Sequence, residues 1–188
     1  MTDAASMEAS QPAGKQPRRA LIVVNTGNGK GKTTAALGVL FRAWGRGFAV
    51  CMLQFIKSTT SNYGENRAAK KTGIEIISLG GGFTWLSKDI EKDKALARDL
   101  WAQCKDKIAS GAYDVVALDE FTYPLTYGWL DTADVIEFLK ARPARTHVII
   151  TGRDAPQELI DYADLVTEMR EIKHPFQQGL TAQPGIEF

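Results

Sequence analysis

The feature that most constrains how this chain can fold is the glycine-rich stretch from Asn25 to Thr34, N-T-G-N-G-K-G-K-T-T. It joins an apolar run, residues 20–24, to a helical pattern from Ala35 to Trp44. Glycines let successive backbone N–H groups turn toward one point, and the helix directs its positive dipole end to that point. Lys32 adds a full charge, which we expect to be solvated. The order of strand, loop and helix therefore predicts a binding site for a polyphosphate.

This phosphate loop, residues 25–34, departs from the common pattern G-x-x-x-x-G-K-[ST]. Its first glycine, Gly27, comes one residue late, because Thr26 stands at the expected position. Thr33 follows the lysine and is the residue type that reaches a Mg²⁺ ion bridging phosphate oxygens. The alternative is a turn that only connects a strand to a helix, but the agreement of strand, glycines, Lys-Thr and helix favours nucleotide binding. The predicted nucleotide-binding residues of the loop are Gly27, Asn28, Gly29, Lys30, Gly31, Lys32, Thr33 and Thr34.

Length and composition predict one domain, residues 18–188, preceded by a tail, residues 1–17. The chain has 188 residues and 44% apolar content, enough for one substantial core. The tail is mostly Ala, Ser, Gln, Pro and Gly, which cannot bury enough apolar surface to offset their ordering entropy. It is therefore predicted to be disordered. The alternatives are a segment that orders over a ligand or one that docks on a partner subunit.

The charge balance argues against partners that are recruited by a strong electrostatic field. Lys and Arg total 23 and Asp and Glu total 22, so we expect neither nucleic acid nor an anionic membrane as a partner. No run approaches the roughly 18 apolar residues of a membrane span, and no apolar signal segment begins the chain. Cys51 and Cys104 lack metal-ligand spacing, which favours reduced, packed thiols in a cytoplasmic protein.

Apolar runs alternate with helical patterns, which predicts an α/β fold with a mostly parallel sheet flanked by helices. The continuously apolar run 48–55 is typical of a parallel strand covered on both faces. Further strands are predicted at 74–79, 113–118, 146–151 and 165–171, and further helices at 65–72, 87–110 and 132–141. In the helix after the phosphate loop, one apolar stripe is predicted to face the sheet: Leu37, Leu40, Phe41 and Trp44. Arg42 of this helix could face solvent, and we count it among the candidate nucleotide-binding residues.

Polar residues follow several predicted strands, and ligands of open α/β sheets bind beyond the carboxyl ends of strands. Gln54 and Lys57 end the second strand and are expected near the phosphates. Arg153 ends the fifth strand and is expected to contact a phosphate, with an ion pair to Asp154 as the alternative. Asp154 and Pro156 are predicted as the N-cap and first turn of another helix.

The acidic pair Asp119 and Glu120 closes the predicted fourth strand. In a phosphate-loop protein a carboxylate at this place meets the metal ion, directly or through water. Together with Thr33, the pair therefore predicts a Mg²⁺ site.

Three glycines, residues 80–82, lead directly into Phe83 and Trp85 after the third predicted strand. A loop at the binding edge of a sheet seldom exposes two aromatic rings, because each loses favourable burial in water. The two aromatic residues either fold back as a small satellite core or contact a large, flat ligand.

Taken together, these residues resemble the phosphate-loop family of ATP:corrinoid adenosyltransferases, whose fold is RecA-like. That family's loop also lacks the early glycine, and the resemblance covers nearly the whole domain outside the tail. It rests on the segments T-G-N-G-K-G-K-T-T (26–34), Q-F-I-K (54–57), G-F-T-W (82–85), L-D-E-F-T-Y (118–123), V-I-I-T-G-R (148–153) and K-H (173–174).

The resemblance implies that a Co(I) corrinoid attacks C5′ of ATP and that triphosphate leaves. Lys32 and a Mg²⁺ ion near Thr33 and Glu120 would stabilise the growing negative charge. Phe83 and Trp85 would pack against the lower face of the corrin and exclude its axial base, so the implied catalytic residues are Lys32, Phe83 and Trp85. A reduced flavoprotein as electron donor and a homodimer are also implied.

Two other functions fit the same phosphate loop. In a RecA-like ATPase, Glu120 would polarise water for hydrolysis; in a small-molecule kinase, the terminal phosphoryl group would pass to a substrate. The phosphorus-containing products distinguish the three activities.

Overall fold

The computed structural model describes residues 19–58, 63–80 and 90–187, with the backbone alone for residues 58, 79 and 80. The tail at 1–17 and the aromatic pair Phe83 and Trp85 lie outside these ranges. Within them, six strands form one sheet in which every neighbouring pair is parallel, as the alternation of strands and helices predicted. The strands are β1 (Ile22–Thr26), β2 (Val50–Ser58), β3 (Glu75–Gly80), β4 (Val115–Asp119), β5 (His147–Thr151) and β6 (Leu165–Glu168).

The order of the strands across the sheet is β3-β2-β4-β5-β1-β6. The helices are α1 (Lys32–Trp44), α2 (Gly64–Thr72), α3 (Ile90–Ala109), α4 (Thr122–Thr126), α5 (Thr132–Lys140) and α6 (Gln157–Tyr162). The carboxyl ends of β1, β4 and β5 lie side by side, so the loops that follow these strands meet in one crevice. With the phosphate loop between β1 and α1, the described residues form an α/β fold whose parallel sheet is flanked by helices.

Each face of the sheet packs against its own group of apolar residues, because successive side chains on a strand point to opposite faces. The α1 face buries Met52, Ala117 and Ile149 against Ala36 and Leu40. The opposite face buries Leu53, Leu118 and Ile150 in the larger cluster, which also contains Trp101, Cys104 and Phe121. Cys51 and Cys104 are buried free thiols, as predicted.

The predicted apolar stripe of α1 is partly wrong. Leu40 is buried, but Phe41 is 61% exposed and Trp44 is 39% exposed, and their rings stack with centroids 5.7 Å apart. The buried residues of the helix are Lys32, Ala36 and Leu40, at a spacing of four. The buried face of α1 therefore runs through Ala36 and Leu40, and Phe41 and Trp44 lie outside it.

The prediction of Asp154 as a helix N-cap is also wrong. Helix α6 begins at Gln157 with Pro156 in the N-cap position, and Asp154 lies in an irregular segment with a φ of 51°. This segment is held by longer-range bonds instead: Ala155 N donates to Thr26 Oγ1 at 3.2 Å, and Thr126 Oγ1 donates to the Asp154 carbonyl at 3.0 Å.

Strand β6 ends at Glu168, three residues earlier than the predicted end at 171. The chain turns there toward the phosphate loop, where Gly29 N donates to the Met169 carbonyl at 2.6 Å. Among the helices of the described ranges, none has the length and apolar character needed to cross a membrane.

Candidate nucleotide-binding site

The phosphate loop directs the start of α1 into the crevice. Gly31 is the N-cap residue with a φ of 108°, a conformation that favours glycine, and the helix begins at Lys32, three residues before the predicted start. The first backbone N–H groups of α1 and its positive dipole end therefore lie directly behind the loop. Such a helix start is a ready binding site for anions.

The Lys32 side chain is buried, not solvated as expected, with only 7% of the residue exposed. Its Nζ donates to two carbonyl groups of the loop, to Gly27 O at 2.7 Å and to Gly29 O at 2.9 Å. Burial lowers the pKa of Lys32, although the nearby Glu120 carboxylate acts in the opposite direction. The lysine thus holds the loop in shape and keeps its charge beside the cavity.

Two glycines of the loop make room for the chain that follows β6. A Cβ on Gly27, whose φ is 91°, would lie 2.6 Å from the Met169 carbonyl oxygen. A Cβ on Gly29 would lie 2.7 Å from the carbonyl carbon of Arg170. Both distances are shorter than real Cβ contacts, so the loop glycines are required for packing against the C-terminal segment as well as for the approach of a ligand.

The Asp119 carboxylate lies behind the cavity and is fully buried. Its Oδ1 accepts hydrogen bonds from Thr33 Oγ1 and from Thr151 Oγ1, both at 2.8 Å. Asp119 is therefore connected to the cavity through the Thr33 hydroxyl and does not itself line the cavity.

Glu120, the next residue, does line the cavity. Its backbone has a φ of 60°, which is uncommon outside glycine, and its N–H donates to Thr151 Oγ1 at 3.0 Å. Its Oε2 is buried and has no hydrogen-bond partner among the residues that the structure describes. Burial, and secondly the charge of Asp119, raise the pKa of Glu120 to about 7. A buried carboxylate oxygen without a partner is a candidate cation ligand.

We expect Glu120→Gln to stabilise the protein when nucleotide and metal are absent, and to do so mainly at alkaline pH. The folded-state pKa is raised to about 7, so between about pH 4.5 and 7 the folded state keeps a proton that the unfolded chain loses. Stability of the unaltered protein should fall as pH rises through this window, and glutamine should remove the effect, about 3 kcal/mol at pH 8. Urea unfolding in EDTA at pH 5 and pH 8 measures it; an equal gain at both pH values would contradict the assignment.

The residues around the crevice enclose a cavity of about 680 Å³. Of the predicted site residues, those that line it are Asn28, Gly29, Lys30, Gly31, Lys32, Thr33, Thr34, Lys57, Glu120 and Arg153. Lys57 reaches it while paired with Glu65, and its Nζ is 3.8 Å from Asp119 Oδ2.

Of the predicted site residues that the structure describes, four do not line the cavity. Gly27 is a loop residue that packs against the Met169 backbone, and Asp119 and Gln54 are fully buried. Arg42 is exposed in the last turn of α1, at the end of the helix opposite the phosphate loop. Distance along the helix explains this, because ten residues of α1 span about 15 Å.

The C-terminal segment forms a wall of the cavity that the sequence patterns did not predict. Its lining residues are His174, Gly185, Ile186 and Glu187, and Lys30 Nζ pairs with Glu187 Oε1 at 2.9 Å. His174 Nδ1 accepts a hydrogen bond from Phe176 N at 3.1 Å, which leaves Nε2 as the donor of the ring. Irregular segments show no hydrophobic periodicity from which a structure can be predicted. The sequence therefore pointed to this wall only through the family resemblance at Lys173-His174. Leu37, Gly64, Glu65 and Tyr123 complete the lining.

Comparison with known proteins identifies the family of this chain. The family model described as ATP:corrinoid adenosyltransferase BtuR/CobO/CobP matches residues 18–188. A corrinoid adenosyltransferase of a Sinorhizobium species is 43% identical over 94% of this chain and 84% of its own length. The Escherichia coli K12 enzyme of that name is 43% identical over 92% of this chain and 88% of its own, and corrinoid adenosyltransferase CobA of Salmonella typhimurium is 44% identical over the same shares. The chain belongs to the ATP:corrinoid adenosyltransferase family.

Proposed function

We propose that this cavity binds ATP, with a divalent cation, for the reaction of the family, the transfer of the adenosyl group of ATP to a corrinoid. One observation carries the proposal: the N-terminus of α1, the Lys32 ammonium and the Glu120 carboxylate face a single cavity, and Glu120 Oε2 has no hydrogen-bond partner in the described part of the chain. The first two suit a triphosphate, and the third suits the cation that a triphosphate brings with it.

In this reaction a bond forms between cobalt of the Co(I) substrate and C5′ of ATP, and the bond from C5′ to the triphosphate oxygen breaks. The oxygen keeps the electron pair, so negative charge grows on the triphosphate. Loop N–H groups, Lys32 and Arg153 border the cavity where that charge would be stabilised. Because cobalt supplies the nucleophile, no residue has to act as a general base.

Thr33 and Glu120 are the residues that would hold Mg²⁺ in this cavity. Among the described residues, no three His, Cys, Asp or Glu side chains form a metal-binding group, so phosphate oxygens and water would supply the other ligands. When bound, Mg²⁺ supplies positive charge to the leaving triphosphate. Asp119 acts indirectly in this arrangement, since it contacts the Thr33 hydroxyl.

The C-terminal wall is the part of the cavity that we assign to the nucleoside. A carboxylate such as Glu187 would repel phosphates but can accept hydrogen bonds from ribose hydroxyls. Ile186 offers an apolar surface that is 73% exposed, and the His174 ring offers a donor. This division leaves the loop side of the cavity to the triphosphate.

Three further parts of the proposal rest on the family resemblance. Phe83 and Trp85 would exclude the lower axial base of the corrin, which makes Co(II) easier to reduce. A reduced flavoprotein would supply the electrons. A homodimer would form, and the exposed rings of Phe41, Trp44 and Phe48 offer an apolar surface for such a contact.

Analysis of the phosphorus products of ATP tests the activity. Incubation with Mg²⁺ and a chemically reduced Co(I) corrinoid should yield intact triphosphate in ³¹P NMR, in step with the absorbance of the adenosylated corrinoid. Reactions without corrinoid should leave ATP unchanged. Release of ADP and phosphate would indicate an ATPase, and ADP with a phosphorylated substrate would indicate a kinase.

A further inference from the structure

A row of polar side chains crosses four neighbouring strands behind the cavity, at the carboxyl end of the sheet. The strand registers place Ser78 of β3 beside Gln54 of β2, and Gln54 beside Asp119 of β4. On β5, Thr151 Oγ1 donates to Asp119 Oδ1 at 2.8 Å. We call these four residues the polar row.

The polar row lies on the sheet face that α1 covers. The residue two positions earlier on each of the four strands packs in the core beneath α1: Ile76, Met52, Ala117 and Ile149. Side chains two positions apart on a strand share a face, so a polar group stands above an apolar one on each strand. Gln54, Asp119 and Thr151 are all 0% exposed. Burial of these polar groups costs free energy unless each group is hydrogen-bonded, so their hydrogen-bond partners indicate the role of the row.

On one side of the row, a series of hydrogen bonds runs from Asn66 through Ser78 and Gln54 to Asp119. A carboxylate only accepts, so Gln54 turns its amide nitrogen to it, with Nε2 3.3 Å from Asp119 Oδ2. The amide oxygen of Gln54 then needs a donor, which is Ser78 Oγ at 2.9 Å. The Ser78 oxygen in turn accepts from Asn66 Nδ2, on α2, at 3.1 Å. The direction of each hydrogen bond in this series follows from the Asp119 carboxylate at its end, because a carboxylate can only accept.

We propose that Asn66, Ser78 and Gln54 are positioning residues for the cation that accompanies ATP. They fix the Asp119 carboxylate, which accepts a hydrogen bond of 2.8 Å from the Thr33 hydroxyl and thereby leaves the lone pairs of Thr33 Oγ1 for the cation. Gln54, predicted from the sequence to contact the nucleotide, acts in this arrangement from behind the site. The inference rests on the proposed cation site.

Loss of the Ser78 hydroxyl should break this series of hydrogen bonds at its middle. The Gln54 oxygen would lose its donor, and the amide could turn that oxygen toward Asp119, where it cannot donate. Asp119 Oδ2 would then keep only Lys57, 3.8 Å away, and Thr33 would lose its fixed partner. Residues that orient metal ligands from behind typically change metal affinity by about 10- to 100-fold when they are removed.

Titration of Mg²⁺ in the presence of a fluorescent ATP analogue tests the role of Ser78. For Ser78→Ala we expect the half-saturating Mg²⁺ concentration to rise about 10-fold. Affinity for the analogue in EDTA should stay the same, because the phosphate loop is untouched. Ser78→Thr keeps a hydroxyl and should restore the Mg²⁺ response. The matched control is Ser110→Ala at the end of α3, where the serine bonds only to its own turn.

A double-mutant cycle tests whether Ser78 acts through Gln54. Gln54→Met keeps the length of the side chain but cannot bond Asp119, and adding Ser78→Ala to it should change the Mg²⁺ response no further. Additive effects, or an unchanged Mg²⁺ titration in Ser78→Ala, would overturn the role of the polar row. So would an equal loss of binding with and without Mg²⁺. If the unaltered protein binds the nucleotide equally well with and without Mg²⁺, the cation site itself is contradicted.

Discussion

Lys32→Ala is expected to lower the rate of adenosyl transfer by about 100- to 1000-fold at saturating ATP, the range found when one preorganised donor to a developing negative charge is removed. The lysine is the one cation that the phosphate loop holds against its own backbone, with bonds to Gly27 O and Gly29 O. The expected loss of rate therefore has two causes. The charge that faces the triphosphate disappears, and the loop loses two hydrogen bonds that shape it. Rates with chemically reduced Co(I) measure the effect without the electron donor.

The neighbouring Lys30 provides the matched control. It lines the same cavity, but its side chain is 45% exposed and pairs with Glu187 at 2.9 Å. Lys30→Ala should therefore cost far less rate than Lys32→Ala. Circular dichroism should show the fold of both variants intact, since neither lysine fills space between the apolar clusters. Near-normal turnover by Lys32→Ala would contradict the assignment of the phosphate loop.

The sequence predicted the parts of this site that depend on neighbouring residues. Glycine spacing and the Lys-Thr pair located the phosphate loop, and Glu120 was found because it follows a buried strand. The parallel α/β sheet was likewise predictable, because each strand is an apolar run bounded by turn residues. These features are encoded within about ten residues of chain each.

Features that depend on contacts between distant segments were not predictable. The apolar spacing of α1 suggested that Phe41 and Trp44 face the sheet, but the packing of Ala36 and Leu40 against the strands decides which face is buried. The polar row requires the registers of four strands, which no single strand reveals. The same limit explains Gln54, whose position beside Lys57 suggested a ligand contact although it bonds Asp119.

The C-terminal wall is the largest unpredicted part of the site, and Gly29 tests its packing on the phosphate loop. If Gly29 only let a ligand approach, Gly29→Ala would weaken ATP binding and leave the ATP-free protein equally stable. The structure predicts otherwise, since the new Cβ would lie 2.7 Å from the Arg170 carbonyl carbon, a backbone atom. It would also strain the 2.6 Å bond from Gly29 N to the Met169 carbonyl.

We therefore expect Gly29→Ala to destabilise the ATP-free protein by about 1–3 kcal/mol, the usual cost of an overpacked contact, and to lower Tm by about 5 °C. Gly38→Ala is the matched control, because Gly38 lies within α1 and a Cβ there meets nothing within 4 Å. That change should stabilise the helix by about 0.5–1 kcal/mol. Thermal unfolding in EDTA without nucleotide measures both variants. If Gly29→Ala has the same Tm as the unaltered protein but a lower affinity for ATP, the glycine is required only for ligand binding. The packing of the C-terminal segment then does not depend on it.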